Sequence, residues 1–214
     1  MMTDILETIK KMVIDGKFKD IEQEVQQAID AGTDLNRLIN DALISAMDIV
    51  GKRFADNQIY VPEMLVSATT MKRGLDIIKP LLQSDETEDR GTIVMGTVKG
   101  DLHDIGKNLV TMMMEGAGFK VIDLGVDVKI ENLVETLKKE QADILGLSAL
   151  LTTTMPEMQN VIEVLKREGL RNHVKVIVGG APIDQKFAVK IGADGYGKDA
   201  VEAVQLSRRL ISEK

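Results

Sequence analysis

The chain has no cysteine and no tryptophan, only two histidines, and just four phenylalanines and two tyrosines in 214 residues. Without cysteine it forms neither disulfides nor thiolate metal sites, which fits a cytoplasmic protein. With aromatics at 3% of the chain, core volume has to come from Leu, Ile, Val and twelve Met, the last flexible enough to cover an irregular surface or a bulky ligand. Positive charge is not in excess. The formal net charge is -7 with the basic residues dispersed, which argues against phosphate-driven nucleic-acid binding. No apolar run approaches a membrane span, and the opening MMTDILETIKK lacks the apolar stretch of a secretory signal. A soluble, cytoplasmic chain with neither nucleic acid nor membrane as partner is the expectation. What remains, 44% hydrophobic and 29% charged residues, is ordinary for a globular protein able to bury a proper core.

Two patterns divide the chain. Residues 1–82 carry helical spacing: Ile5, Ile9, Met12 and Val13; then Phe18, Ile21, Val25 and Ala28. Leu35, Leu38, Ile39, Ala42, Leu43, Ala46, Ile49 and Val50 mark a third face, and Met64, Leu65, Ala68, Met71, Leu75 and Ile78 a fourth. Breaks at Gly16, Gly32 and DNQIYVP separate them, with Pro62 placed to start the last helix, so an N-terminal four-helix bundle is predicted. Residues 83–90, within the acidic run QSDETEDRG, read as an exposed linker. From 91 to 214 short β-rich runs (TIVMGTV, KVIDLG, DILGLSAL, VKVIVGG, ADGYG) alternate with amphipathic helical segments. Parallel strands need crossovers, so five such alternations predict an α/β domain: a doubly wound, flavodoxin-like (Rossmann-like) five-stranded parallel sheet.

In the 2-1-3-4-5 strand order, ligands bind beyond the carboxyl ends of the strands, at the crevice between the first and third. The unusual stretches all fall at such ends. The loop GDLHDIG, 100–106, follows the first strand; SALLTTT, 148–154, the third; GGAP, 179–182, ends the fourth; and GYGKDA, 195–200, follows the fifth. The glycine-rich loop lacks the residues of a phosphate loop and is no GxGxxG turn. A triad of Ser148, His103 and Asp101 lacks a nucleophile elbow, which disfavours hydrolase chemistry. A histidine beside an aspartate also suits a metal ligand whose second ring nitrogen donates to a carboxylate. No further cluster completes a four-ligand protein site, so a single protein ligand is enough only where a macrocycle supplies the others.

Here the residues resemble a known family. DLHDIG, 101–106, carries the D-x-H-x-x-G pattern of cobalamin-binding domains in which a histidine replaces the nucleotide base beneath cobalt. With SALLTTTM, GGAP and a preceding bundle, nearly the whole chain is similar to the small corrinoid proteins of methyltransferase systems and to the matching module of methionine synthase. The resemblance implies cobalamin or a related corrinoid held base-off/His-on, with His103 as the metal ligand, Asp101 as its hydrogen-bond partner and Ser148 completing the relay. Gly100 and Gly106 would admit the corrin near the backbone. The stretch from Ser148 through Leu150 to Thr152, with Gly179 and Gly180, would line the channel for the nucleotide tail, and Gly195, Tyr196 and Gly197 its far end. VPEMLVSATTM matches the part of the bundle that covers the upper corrin face, making Met64 and Leu65 candidates there.

The function implied is that of a non-catalytic methyl carrier. Cob(I)alamin takes a methyl group from a substrate held by a substrate-specific methyltransferase. The resulting methylcobalamin serves an acceptor methyltransferase using coenzyme M or tetrahydrofolate, and a reductive activase is the third partner implied. A cobalamin-dependent mutase subunit and a cobalamin-binding regulator are the alternatives; a bundle before the sheet fits the carrier better. The donor, whether methanol, a methylamine, betaine or a methoxylated aromatic, would be chosen by the partner. Ordinary structural roles are expected for His173, for Met112 and Met113 in a core stripe with Ile105 and Leu109, and for Thr154 with Glu157 as a capping box. Asp104, included among the cofactor-binding candidates, also stands where it could cap the helix after the histidine loop.

Overall fold

The structure is a computed structural model that describes residues 2–81 and 90–213. The linker expected over 83–90 lies, but for Arg90, outside the described residues. The chain falls into two compact units, one comprising Met1–Glu88 with Glu115–Gly118, the other Asp89–Met114 with Phe119–Lys214.

The first unit is helical, as its spacing predicts. Helices α1 (Met2–Ile14) and α2 (Ile21–Asp30) are followed by a long helical run made of α3 (Leu35–Arg37), a π-helical stretch Leu38–Ile44, and α4 (Ser45–Ala55). Helix α5 (Val61–Ile78) closes the unit, with Pro62 in its first turn, where a missing N–H costs nothing. The π stretch is a departure from the expected regular helix. Its wider turns rotate the buried stripe so that Ile44 and Met47 turn inward beside Leu38, Ala42, Leu43, Ala46 and Val50. Ser45 Oγ donates back to the Asp41 carbonyl within this wider turn. Ile9, Ile21, Leu38, Leu43, Met64, Met71 and Ile78 are fully buried, each worth about 1.5–3 kcal/mol of transfer from water.

The second unit is the α/β fold. Strands β1 (Thr92–Thr97), β2 (Lys120–Asp123), β3 (Ile144–Ser148), β4 (Lys175–Gly179) and β5 (Gly195–Tyr196) form one parallel sheet in the order β2-β1-β3-β4-β5. Between and after them run α6 (Ile105–Gly116), α7 (Ile130–Glu140), α8 (Met155–Arg167), α9 (Gln185–Ile191) and α10 (Ala200–Ser212). Interior strand β1 is buried along its whole length, whereas edge strand β2 is partly exposed, as expected where helices cover both faces of a parallel sheet. On one face Val94, Leu145, Leu147, Val176 and Val178 pack with Leu133 and Leu137 of α7 and Met158, Ile162 and Leu165 of α8. Asp184 and Asp199 start α9 and α10 by accepting the amides of Phe187 and Glu202 at 2.7 and 2.9 Å. Among the described residues no helix is long and apolar enough to cross a membrane.

The register aligns Thr97 of β1 with Ser148 of β3, and Ser148 with Gly179 of β4. The loops after β1, β3, β4 and β5 therefore leave the sheet along one edge, at the point where the strand order reverses.

Candidate functional site

Beyond β1 the chain turns sharply. Val98 N donates to the Ser148 carbonyl at 3.0 Å, Asp101 N returns to the Val98 carbonyl at 3.1 Å, and between them Gly100 takes φ +82, a conformation open to glycine at little cost. The turn drives Asp101 into the protein, where its exposure is 0%. Both carboxylate oxygens are used. Oδ1 accepts from His103 N at 3.1 Å and lies 2.7 Å from His103 Nδ1, while Oδ2 accepts Leu150 N at 2.8 Å, Leu151 N at 3.2 Å and Thr154 Oγ1 at 2.7 Å. Burial alone would raise the Asp101 pKa, but the bonds from Leu150, Thr154 and His103 together outweigh it and hold the carboxyl well below the usual carboxylate range.

In the neutral imidazole, an ionised aspartate on Nδ1 selects the tautomer with the proton on Nδ1 and the lone pair on Nε2. The imidazole side chain is half-exposed, and its backbone carbonyl is held by Thr97 Oγ1 at 2.9 Å. Around it lie apolar side chains facing outward: Leu102 at 71% exposure, Ile105 at 87%, and Leu150 and Leu151 at 43% and 41%. Exposed apolar groups gathered at one sheet edge are a signature of a ligand surface. Among the described residues no group of three or more His, Asp or Glu side chains is placed to hold a metal ion. The donor set is thus one fixed imidazole nitrogen bordered by apolar surface, which fits a metal that brings its own equatorial ligands.

The other predicted residues fall as follows. Ser148, expected to complete the relay, makes no hydrogen bond to Asp101; the hydroxyl there belongs to Thr154. Strand alternation explains this, since it puts Ser148 on the face opposite Leu147 and Ala149, while Thr154 sits where the chain enters α8. Thr154 accordingly does not serve as a capping box: it occupies the N-cap position of α8 with no side-chain cap bond, its hydroxyl directed to Asp101 and the Leu151 carbonyl. Ile105 is also corrected, from core stripe to exposed rim; of the expected stripe Met113 is buried and Leu109 and Met112 are half-buried, and Lys107 and Met114 are buried beside them. Asp104 accepts the Asn108 side-chain amide at 3.0 Å beside the start of α6. His173 is exposed.

Thr152 is exposed at the end of β3's loop and Gly106 has open space beside its Cα, so both leave room at this edge. Gly180, at φ +131, passes so close to the β3 loop that a Cβ would lie 1.8 Å from the Ala149 carbonyl oxygen, and a Cβ on Gly179 would lie 3.0 Å from that of Gly197. Gly195 and Gly197 admit Leu206 and Ala203 of α10 against β5. Tyr196 is half-buried, its phenol pKa raised first by burial and then by Glu202, Asp184 and Asp199. Met64 is fully buried and Leu65 half-buried on α5 in the helical unit.

Comparison with known proteins gives the family of both parts of the chain. A B12 binding domain family matches residues 91–205, and a second B12 binding domain family matches residues 5–79. This chain belongs to the B12-binding corrinoid proteins. It is 40% identical to a corrinoid protein of Desulfitobacterium hafniense over the full length of both chains. To the dimethylamine corrinoid protein of Methanosarcina barkeri it is 40% identical over 98% of each chain, and to trimethylamine corrinoid protein 1 of Methanosarcina acetivorans 39% identical over 97% of each. Among solved structures it matches the methanol:cobalamin methyltransferase complex of Methanosarcina barkeri with a TM-score of 0.89 and 32% identity, covering 99% of this chain and 81% of that one. A cobalamin-binding protein of Desulfitobacterium hafniense matches with a TM-score of 0.77 and 34% identity, over 96% and 98% of the two chains. The cofactor of this corrinoid protein is therefore a cobalamin-type corrinoid. Sequence reasoning missed Thr154 because its only local signal, a threonine three residues before a glutamate at a helix start, reads as a cap.

Proposed function

We propose that this corrinoid protein holds its cofactor base-off with His103 Nε2 on cobalt, and carries a methyl group between a substrate:corrinoid methyltransferase and a second methyltransferase serving coenzyme M or tetrahydrofolate. The observation that carries the reading is the Asp101–His103 pair, 2.7 Å apart, with one ring nitrogen committed and the other open at the carboxyl edge of the sheet. The bound corrinoid supplies the cobalt chemistry of methyl transfer; the chain supplies orientation and electrostatics. Asp101 fixes the tautomer and direction of the imidazole, and Thr154 with the Leu150 and Leu151 amides fixes Asp101. Leu102, Ile105, Leu150 and Leu151 offer apolar cover beside the ligand.

Likeness to dimethylamine and trimethylamine corrinoid proteins and to a methanol:cobalamin methyltransferase complex supports a place in a methylamine or methanol methyltransferase system. Gly179, Gly180, Gly195, Tyr196 and Gly197 are proposed to border the nucleotide tail. Met64 and Leu65 are proposed to face the reactive side. A reductive activase is proposed to restore the cofactor after oxidation. The test is the absorption spectrum of the parent and of His103→Ala after loading with hydroxocobalamin and removing the free cofactor. A retained corrinoid whose spectrum changes with the substitution supports His-on binding; a spectrum indifferent to it sinks that reading.

A further inference from the structure

The histidine loop is gripped from a direction that the Asp101 network does not explain. The connection between β2 and α7 lies along the end of β1: Gly125 O accepts Thr97 N at 3.0 Å, Val128 N donates to Thr97 O at 3.0 Å, and Val98 bridges Val128. From the end of β2 and from this connection two aspartates reach the two ends of the loop. Asp127 Oδ1 accepts Gly100 N at 2.7 Å, and Asp127 N donates to the Asp101 carbonyl at 2.9 Å, so one residue clamps the loop's entry twice. Asp127 does so at φ 51, a left-handed conformation uncommon for a residue with a side chain and one for which aspartate is among the better suited. Asp123 grips the exit. Its Oδ2 pairs with Nζ of Lys107, which also donates to Asn108 Oδ1 at 2.8 Å, and its Oδ1 accepts Gly125 N at 2.9 Å. The Lys107 side chain is 1% exposed in the first turns of α6, and a buried ammonium stays there only where it is paired.

We propose that Asp123 at the end of β2 and Asp127 in the β2–α7 connection splint the axial loop, setting where His103 stands, a task distinct from the orientation of its ring by Asp101. The proposal rests on the reading of His103 as the cobalt ligand. Because the left-handed φ and the side-chain acceptor are separate properties of Asp127, substitution can separate them. Asp127→Gly keeps the backbone conformation and removes the acceptor; Asp127→Asn keeps an oxygen acceptor and a tolerated φ. Asp127 is exposed, so neither variant disturbs the core. Asp123→Asn tests the other end by removing the carboxylate from Lys107.

Each variant, the parent and His103→Ala are loaded with hydroxocobalamin, and three quantities are measured: cofactor affinity, the axial-nitrogen splitting in the electron paramagnetic resonance spectrum after one-electron reduction, and the thermal midpoint of the cofactor-free chain. Expected is a roughly tenfold or greater loss of affinity and a loss of the nitrogen splitting in Asp127→Gly, as for other partners that hold a metal ligand in place. Asp127→Asn should restore both, and the midpoint of Asp127→Gly should stay near that of the parent. Parent-like affinity and splitting in Asp127→Gly and Asp123→Asn, with His103→Ala altered, overturn the splint. An equal loss in Asp127→Asn and Asp127→Gly also overturns it, because the acceptor would then be irrelevant. A parent without nitrogen splitting is a different result: it removes the axial role of His103 itself.

Discussion

Thr154 Oγ1 donates to Asp101 Oδ2 at 2.7 Å across 53 residues of sequence, joining the start of α8 to the turn after β1. This bond closes a chain that runs from a threonine hydroxyl through a buried carboxylate to one nitrogen of His103. Thr154→Val keeps the shape and leaves a buried acceptor short of a donor, so about 1–3 kcal/mol of stability should be lost in urea unfolding of the cofactor-free protein. Thr154→Ser should recover most of that loss, and Ser148→Ala should cause little.

Asp101→Asn keeps a neutral acceptor but gives up the charge that fixes the imidazole tautomer. Corrinoid affinity should fall about 10–100-fold, measured by titration with hydroxocobalamin. Unchanged affinity would mean that the carboxylate's charge is dispensable for holding the ring.

The lowered pKa of Asp101 has a definite sign in folding. Its carboxyl binds a proton more weakly in the folded chain than in the unfolded one, so its contribution to stability is present above the ordinary aspartate value of about 3.9 and lost as pH falls below it. Unfolding free energies of the parent and of Asp101→Asn, measured from neutral pH downward, should differ most at neutral pH and converge below about pH 4. A gap that widens on acidification would contradict the assignment.

Ile105 and Leu102 are exposed, so their substitution separates binding from folding. Ile105→Asp and Leu102→Asp should change stability by no more than about 0.5 kcal/mol, as at other surface positions. Both should weaken corrinoid retention on gel filtration, because a charge then borders the apolar surface beside His103. Retention equal to the parent would remove these side chains from the ligand surface.

Gly180→Ala puts a methyl group against the Ala149 carbonyl in a backbone conformation that alanine rarely adopts. A loss of at least about 2 kcal/mol is expected in chemical unfolding. A smaller loss would show that the β3 and β4 loops part easily.

The sequence by itself determined the two kinds of architecture and the order of their elements. Period-2 and period-3.6 apolar spacing are local properties, and parallel strands joined by helices leave few ways to order a sheet. It also determined that His103, the glycines around it and the runs after β3, β4 and β5 meet at one edge, since every loop after a parallel strand leaves at the same end. Tertiary structure alone decided which hydroxyl reaches Asp101. Ser148 and Thr154 both lie in the stretch SALLTTT, and only the pleat of β3 and the entry into α8 select between them. The same holds for Ile105 and Lys107: helical spacing placed the isoleucine inside, but it is exposed, while the buried lysine finds its ionic partner in Asp123 at the end of β2. The grip of Asp127 on Gly100 carries no local signal, because it joins loops 27 residues apart that meet only when β2 pairs with β1. Periodicity reports which side of an element is covered. Hydrogen-bond partners between loops depend on strand register and on where helices begin, and those are properties of the assembled chain.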